Sequence, residues 1–172
     1  MIAEFPWFER KFAFELPAWM FPNVVERLRG TPARAEELVA GLSHDLLTRR
    51  DGDEWSIQEN VGHLGDIEDT WLGRLDDFLA GKETLREADL TNRKTHEANH
   101  NANDIATLLR AFRQSRQQFV QRLEDLSEAD VLRASIHPRL KQPMHLVDHI
   151  YFVAEHDDHH LAQITRLKRH FC

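Results

Sequence analysis

The run Glu155-His156-Asp157-Asp158-His159-His160-Leu161-Ala162-Gln163 concentrates side chains that can bind a metal or carry a proton. An α-helix advances about 100° per residue, so His156 and His160 stand one turn apart on one face, close enough to grip a single ion. Two imidazoles make only half a site, and a polar helix face with solvated histidines has the same spacing. A third ligand must come from another element. His63 lies beside an apolar helical stripe, between Gly62 and Leu64, where an imidazole needs a partner. With His156 and His160 it gives three nitrogen ligands and leaves room for water and substrate, the open arrangement of a catalytic metal rather than a structural one.

Other polar groups share these faces. His149 is seven residues before His156 and returns to nearly the same azimuth, as does His145 another turn away; either is an extra ligand, a supporting group or a surface histidine. His159 points away from the line between His156 and His160 and reads as a supporting or solvated group. Glu59 and Asp66 flank His63 by about one turn each. Glu59 has a capping role, described below, while Asp66 is free to orient an imidazole N–H or to act as a general base. The literal HExxH at His96-Glu97-Ala98-Asn99-His100 is the pattern of zinc proteases, but its flanks, Asn92-Arg93-Lys94-Thr95 and Asn101-Ala102-Asn103-Asp104, offer no apolar face to dock such a helix. It is set aside as a chance match.

The elements that must position these residues are helical. Thr31-Pro32 reads as an N-cap and first-turn pair, so a short helix from Pro22 leads into the first bundle helix. Ser56 and Glu59 form a capping box that opens the second helix, with a stripe of Ile57, Val61, Leu64, Ile67, Trp71, Leu72, Leu75 and Phe78. Residues 82–103 lack apolar periodicity and form a long connection of the kind that is usually functional or mobile. A third helix starts near Asn103-Asp104, a turn capped by Ser127 follows, and a fourth runs from Pro143 to His170. Residues 1–21 form an aromatic arm broken by Pro6 and Pro17, packed over the body or serving as a lid or dimer contact. The expectation is an all-α, up-down four-helix bundle over residues 22–172 with that arm in front.

Composition narrows the partners. At 172 residues, with 41% hydrophobic and 30% charged side chains, the chain has the size and make-up of one soluble domain. Its net charge of −7 repels phosphate backbones and argues against general nucleic-acid binding. No stretch has the length of a membrane span, and the N-terminus lacks a signal-peptide pattern. The single cysteine, Cys172, excludes an intrachain disulfide, so a cytoplasmic location is expected.

Taken together, the chain resembles the DinB/YfiT-like superfamily of four-helix metal-binding proteins. The resemblance rests on Trp55-Ser56-Ile57-Gln58-Glu59 leading into His63-Leu64-Gly65-Asp66, on His137-Pro138, and on His156-Asp157-Asp158-His159-His160-Leu161-Ala162-Gln163-Ile164, and it spans most of the chain from about Pro22. It implies a divalent metal, usually zinc or nickel with iron or manganese also admitted, held at the positions of His63, His156 and His160. It further implies a homodimer and a small-molecule substrate, since members with assigned activity include bacillithiol S-transferases and mycothiol-dependent maleylpyruvate isomerases, while others are described as metal-dependent hydrolases. Two functions are therefore expected: a metal-dependent thiol S-transferase or hydrolase, or a non-catalytic metal-binding stress or interaction module. A water-occupied ligand position facing a pocket favours the first, and a shell closed by His149 or Asp66 the second.

Overall fold

The computed structural model describes residues 5–172; the first four residues of the N-terminal arm lie outside it. Helices α1 (Phe21–Val39), α3 (Ile57–Asp66) with α4 (Glu68–Leu79), α6 (Ile105–Glu124) and α8 (Leu146–Phe171) form a four-helix bundle. Shorter helices α2 (His44–Thr48), α5 (Arg93–Glu97) and α7 (Glu128–Val131) lie in the connections, with a small hairpin of β1 (Ala134–Ile136) and β2 (Pro143–His145). No described helix is long and apolar enough to cross a membrane.

Each long helix buries the stripe its sequence pattern lays down. Leu28 on α1, Leu64 on α3, Phe112 on α6 and Ile164 on α8 are all fully enclosed. Cross-helix contacts set the directions. Thr31 bonds Asp157 and Lys168 bonds the Leu38 carbonyl, so α1 and α8 run in the same sense. Asn60 bonds His160 while Phe78 packs on His149, so the α3–α4 arm runs against α8. Glu68 pairs with Arg116 and Asp76 with Arg122, which makes α4 and α6 parallel neighbours. Parallel neighbours require a crossover the length of the bundle, and that is the physical reason for the long segment after Gly81.

Four local departures from the sequence expectation have identifiable causes. Thr31-Pro32 does not start a helix; α1 runs through it as one piece. Pro32 has no N–H for the Leu28 carbonyl, and Arg116 Nη1 supplies the missing donor at 3.2 Å. The second bundle helix is broken at Ile67, between Asp66, whose carboxylate turns to the crossover, and Glu68, whose carboxylate turns to the core. The crossover is structured: it carries α5 and a turn of 3₁₀ helix at His100–Ala102, and Thr84 bridges to Ile136 beside the hairpin. The hairpin itself was not expected, being only three residues per strand, too short to show an alternating pattern.

The aromatic arm packs over the body. Phe12 and Phe14 stack on each other and meet Phe152 of α8 edge-on, and the Leu16 N–H donates to Asp148 at 2.9 Å. Phe5, Phe8 and Trp19 remain exposed.

Candidate metal centre

The Ser56–Glu59 capping box fixes the start of α3, and from there Asn60 and His63 fall on one inward face. His156 and His160 lie one turn apart on the facing side of α8. Among the described residues, His63, His156 and His160 form one group of buried side chains whose ligand atoms converge. His156 Nε2 lies 3.4 Å from His63 Nε2 and 3.3 Å from His160 Nε2.

Hydrogen bonding decides what those nitrogens present. The Thr95 hydroxyl donates to Asp66 at 2.9 Å, so it accepts from His63 Nδ1–H, also at 2.9 Å. His63 Nε2 is therefore a bare lone pair. The Asn60 amide N–H group is committed to the Trp55 and Ser56 carbonyls, so its oxygen accepts from His160 Nδ1–H at 2.8 Å, and His160 Nε2 is bare as well. His156 Nδ1 is buried with no partner among the described residues. The two bare nitrogens of His63 and His160 cannot satisfy one another, whereas a cation held between them and His156 Nε2 satisfies all three once the His156 proton sits on Nδ1. At a typical Zn–N bond of about 2.0–2.1 Å, a tetrahedral site separates its nitrogens by roughly 3.3–3.4 Å, the spacing between His156 Nε2 and each of the other two. The donor set fits a divalent ion.

Electrostatics keeps these rings in the ligating form. Burial pushes His63 down to about 4, and burial together with the neighbouring imidazoles pushes His156 and His160 well below the ordinary histidine value. All three are neutral near pH 7. Burial also works against the Asp66 carboxylate, but hydrogen bonds from His100 and Thr95 outweigh it and hold its pKa below the usual range. Asp66 is thus a fixed anion two hydrogen bonds from His63, with no direct contact to it.

The remaining sequence candidates fall in distinct places. Glu59 is occupied by the capping box and an ion pair with Arg50. His149 is sealed in the core between Trp71 and Phe78, with neither ring nitrogen partnered among the described residues. His159 is buried rather than solvated: Trp7 stacks on it, Arg10 donates to its Nδ1, and Gln163 meets its Nε2. The HExxH segment is not one helix. α5 ends at Glu97 and Asn99 takes a left-handed conformation, so His96 goes against Trp55 while His100 donates to Asp66 at 2.7 Å. His100 sits so close over α3 that a Cβ at position 62 would overlap its ring, which accounts for Gly62.

Sequence reasoning missed Thr95, His100 and Asn60 as supports of the site. Asn60 was legible, three residues before His63 on the same face. Thr95 and His100 gave no signal, because a polar crossover does not reveal which of its side chains turns inward.

The cluster opens into a cavity of about 370 Å³. Trp55 lies 4.7 Å from the His63 ring, Trp7 lies 5.2 Å and Trp71 5.5 Å from the His156 ring, and Arg74, His137 and Arg139 also line the cavity. The N-terminal arm is therefore a wall of this cavity as well as a cover for the core.

A helical bundle with three converging buried histidines that line an open pocket defines a class of bundle whose site can hold a metal ion. The chain belongs to the DinB superfamily, whose family model matches residues 27–164. Among solved structures it is similar to YfiT from Bacillus subtilis, with a TM-score of 0.80 and 22% identity over 95% of this chain and 94% of that one. YfiT is described as "a probable metal-dependent hydrolase with an unusual four-helix bundle topology". The mycothiol-dependent maleylpyruvate isomerase is more distant, with a TM-score of 0.66 and 10% identity over 86% of this chain and 60% of that one. No curated protein matches the sequence.

Proposed function

We propose that the protein is a metal-dependent enzyme, a thiol S-transferase or hydrolase, in which His63, His156 and His160 hold a divalent cation. The observation that carries this reading is the convergence of three neutral imidazoles lining an accessible cavity. When bound, the cation supplies Lewis acidity that lowers the pKa of a thiol or water to make a nucleophile near neutral pH. The protein's own groups do the rest. Thr95 and Asn60 fix the ring orientations and tautomers, and Asp66 strengthens His63 as a donor through Thr95. Trp7, Trp55 and Trp71 line the approach with apolar surface that excludes water and packs against a small-molecule substrate. Neither His149 nor Asp66 points a ligand atom into the cluster, which leaves the pocket side open and favours an enzyme over a non-catalytic module. A homodimer and a cytoplasmic location belong to this reading, the first supported by the exposed Phe5, Phe8 and Trp19 of the arm and tested by light scattering.

Metal analysis of protein made without a histidine tag should find one divalent ion per chain, and His160→Ala should lose it. Activity between thiol cosubstrates and electrophiles, or in hydrolysis, should disappear with chelator and return with one metal. Retained stoichiometric metal in His160→Ala would refute the ligand assignment.

A further inference from the structure

Three side chains lining the cavity beside the histidine cluster, Arg74, His137 and Arg139, gather hydrogen-bond donors. Arg74 is 2% exposed, lines the cavity, and has no carboxylate partner among the described residues. Its Nε donates to the Arg86 carbonyl, and its Nη1 lies 3.2 Å from His137 Nε2. That second contact is not a hydrogen bond in the usual sense. His137 Nδ1 accepts the backbone N–H groups of Arg139 and Leu140, so the ring proton sits on Nε2 and two donors face each other. Burial and the two arginines hold His137 down to about 3, so the ring is neutral near pH 7.

Arg139 repeats the pattern. Its guanidinium lies over the rings of Trp7, Phe8 and Phe152, no carboxylate among the described residues pairs with it, and its Nη2 is buried without an acceptor. The Trp71 indole N–H also lacks an acceptor among the described residues. Two cations and two orphan N–H groups lining one cavity, in a chain whose net charge is −7, are costly unless something negative visits. The nearest acidic candidates are spoken for or peripheral: Asp77 is held by Arg86, Asp89 accepts from Thr91 and Arg93, and Glu87 lies exposed at the mouth.

We infer that Arg74, His137 and Arg139 form a subsite for the carboxylate or phosphate group of a small molecule bound in this cavity. An oxyanion there accepts from Arg74 Nη1 and His137 Nε2 together, converting a donor–donor clash into two charge-assisted hydrogen bonds. Trp71 connects this subsite to the histidine cluster, with its ring 5.5 Å from the His156 ring and 5.5 Å from Arg74 Cζ. The ligand is thus held by its anionic end against the arginines, its apolar body lies along the tryptophans, and its other end reaches the histidines. That it is also the substrate rests on the enzyme reading above.

Three of the chain's four tryptophans line the cavity, so intrinsic fluorescence reports occupancy. The protein, both metal-loaded and chelator-treated, is titrated at constant ionic strength with succinate, with inorganic phosphate and with uncharged succinamide. A saturable change with at least one anion and none with succinamide is expected, and which anion responds separates carboxylate from phosphate recognition. Arg74→Gln should weaken the apparent affinity at least tenfold, and the more exposed Arg139→Gln serves as the second variant should Arg74→Gln fold poorly. His156→Ala, which removes a ligand of the proposed metal but no part of this subsite, should still bind the anion. No saturable response to either anion, or unchanged affinity in the arginine variants, would overturn the subsite. Anion binding without metal binding would instead overturn the metal reading and leave the subsite standing.

Discussion

Thr95 Oγ1 stands 2.9 Å from His63 Nδ1 and donates its own proton to Asp66 at 2.9 Å, so a residue of the crossover fixes the tautomer of a residue on α3. The link is directional. Because the hydroxyl has one proton and Asp66 takes it, His63 must give its Nδ1 proton and keep Nε2 free for a metal.

Replacing Thr95 with Val removes the acceptor and leaves His63 Nδ1–H buried alone. Divalent-metal affinity should fall about 10- to 100-fold, with helical content unchanged. Competition against a chelator measures the first and circular dichroism the second. Asp66→Asn should act in the same direction through the same relay.

Asn60→Leu should do to His160 what Thr95→Val does to His63. It removes the oxygen that accepts His160 Nδ1–H at 2.8 Å, and metal affinity is expected to drop by a similar factor. Undiminished affinity in both variants would show that the far-side hydrogen bonds do not set the site.

Gly62→Ala forces the His100 ring away from α3, since no Cβ fits there. The expected cost is about 1–3 kcal/mol of stability, with faster amide exchange concentrated in residues 93–103. Exchange confined to other segments would contradict this packing.

Arg116, Glu68 and Asp157 form an ion-paired group that is essentially fully buried, linking α6, α4 and α8, with Thr31 of α1 bonded to Asp157. Asp157 adjoins His156, so this group also anchors the ligand helix. Asp157→Ala leaves a buried guanidinium short of one partner and should cost about 3–5 kcal/mol in urea unfolding.

Metal-free protein should lose stability in acid. Burial holds His63 at about 4 and His137 at about 3, and pushes His149 well below the ordinary value. Each folded-state pKa lies below the unfolded value of about 6.5, so the unfolded chain binds more protons in between and stability rises with pH there. The contribution is complete above about pH 6.5 and is lost as pH falls toward about 4 and below. Unfolding midpoints should track that window. His149→Leu, which removes a buried imidazole with no partner among the described residues, should flatten the profile and raise stability near pH 7 by about 1–3 kcal/mol.

The sequence by itself determined the four amphipathic stripes, the cap at Ser56 and the one-turn spacing of His156 and His160, because helical periodicity is local and repeats every turn; that His63 joins them is an expectation that needs the bundle, which brings the three into one buried group. It also left a readable gap: Arg116 occupies a stripe position between Phe112 and Phe119, where only a buried ion pair permits a guanidinium. Tertiary structure alone decided the rest. Thr31-Pro32 stays helical because Arg116 from another helix replaces the lost donor, Thr95 and His100 turn inward because the crossover is pinned against α3, and Arg74 of α4 and Arg139 of the hairpin turn line one cavity. These residues lie far apart in the chain. Thr95 and His100 reach α3 because parallel α4 and α6 must be joined by a segment spanning the bundle, and no local pattern encodes which side chains of that segment face the core; Arg116 and Arg139 are placed by α6 and by the hairpin turn.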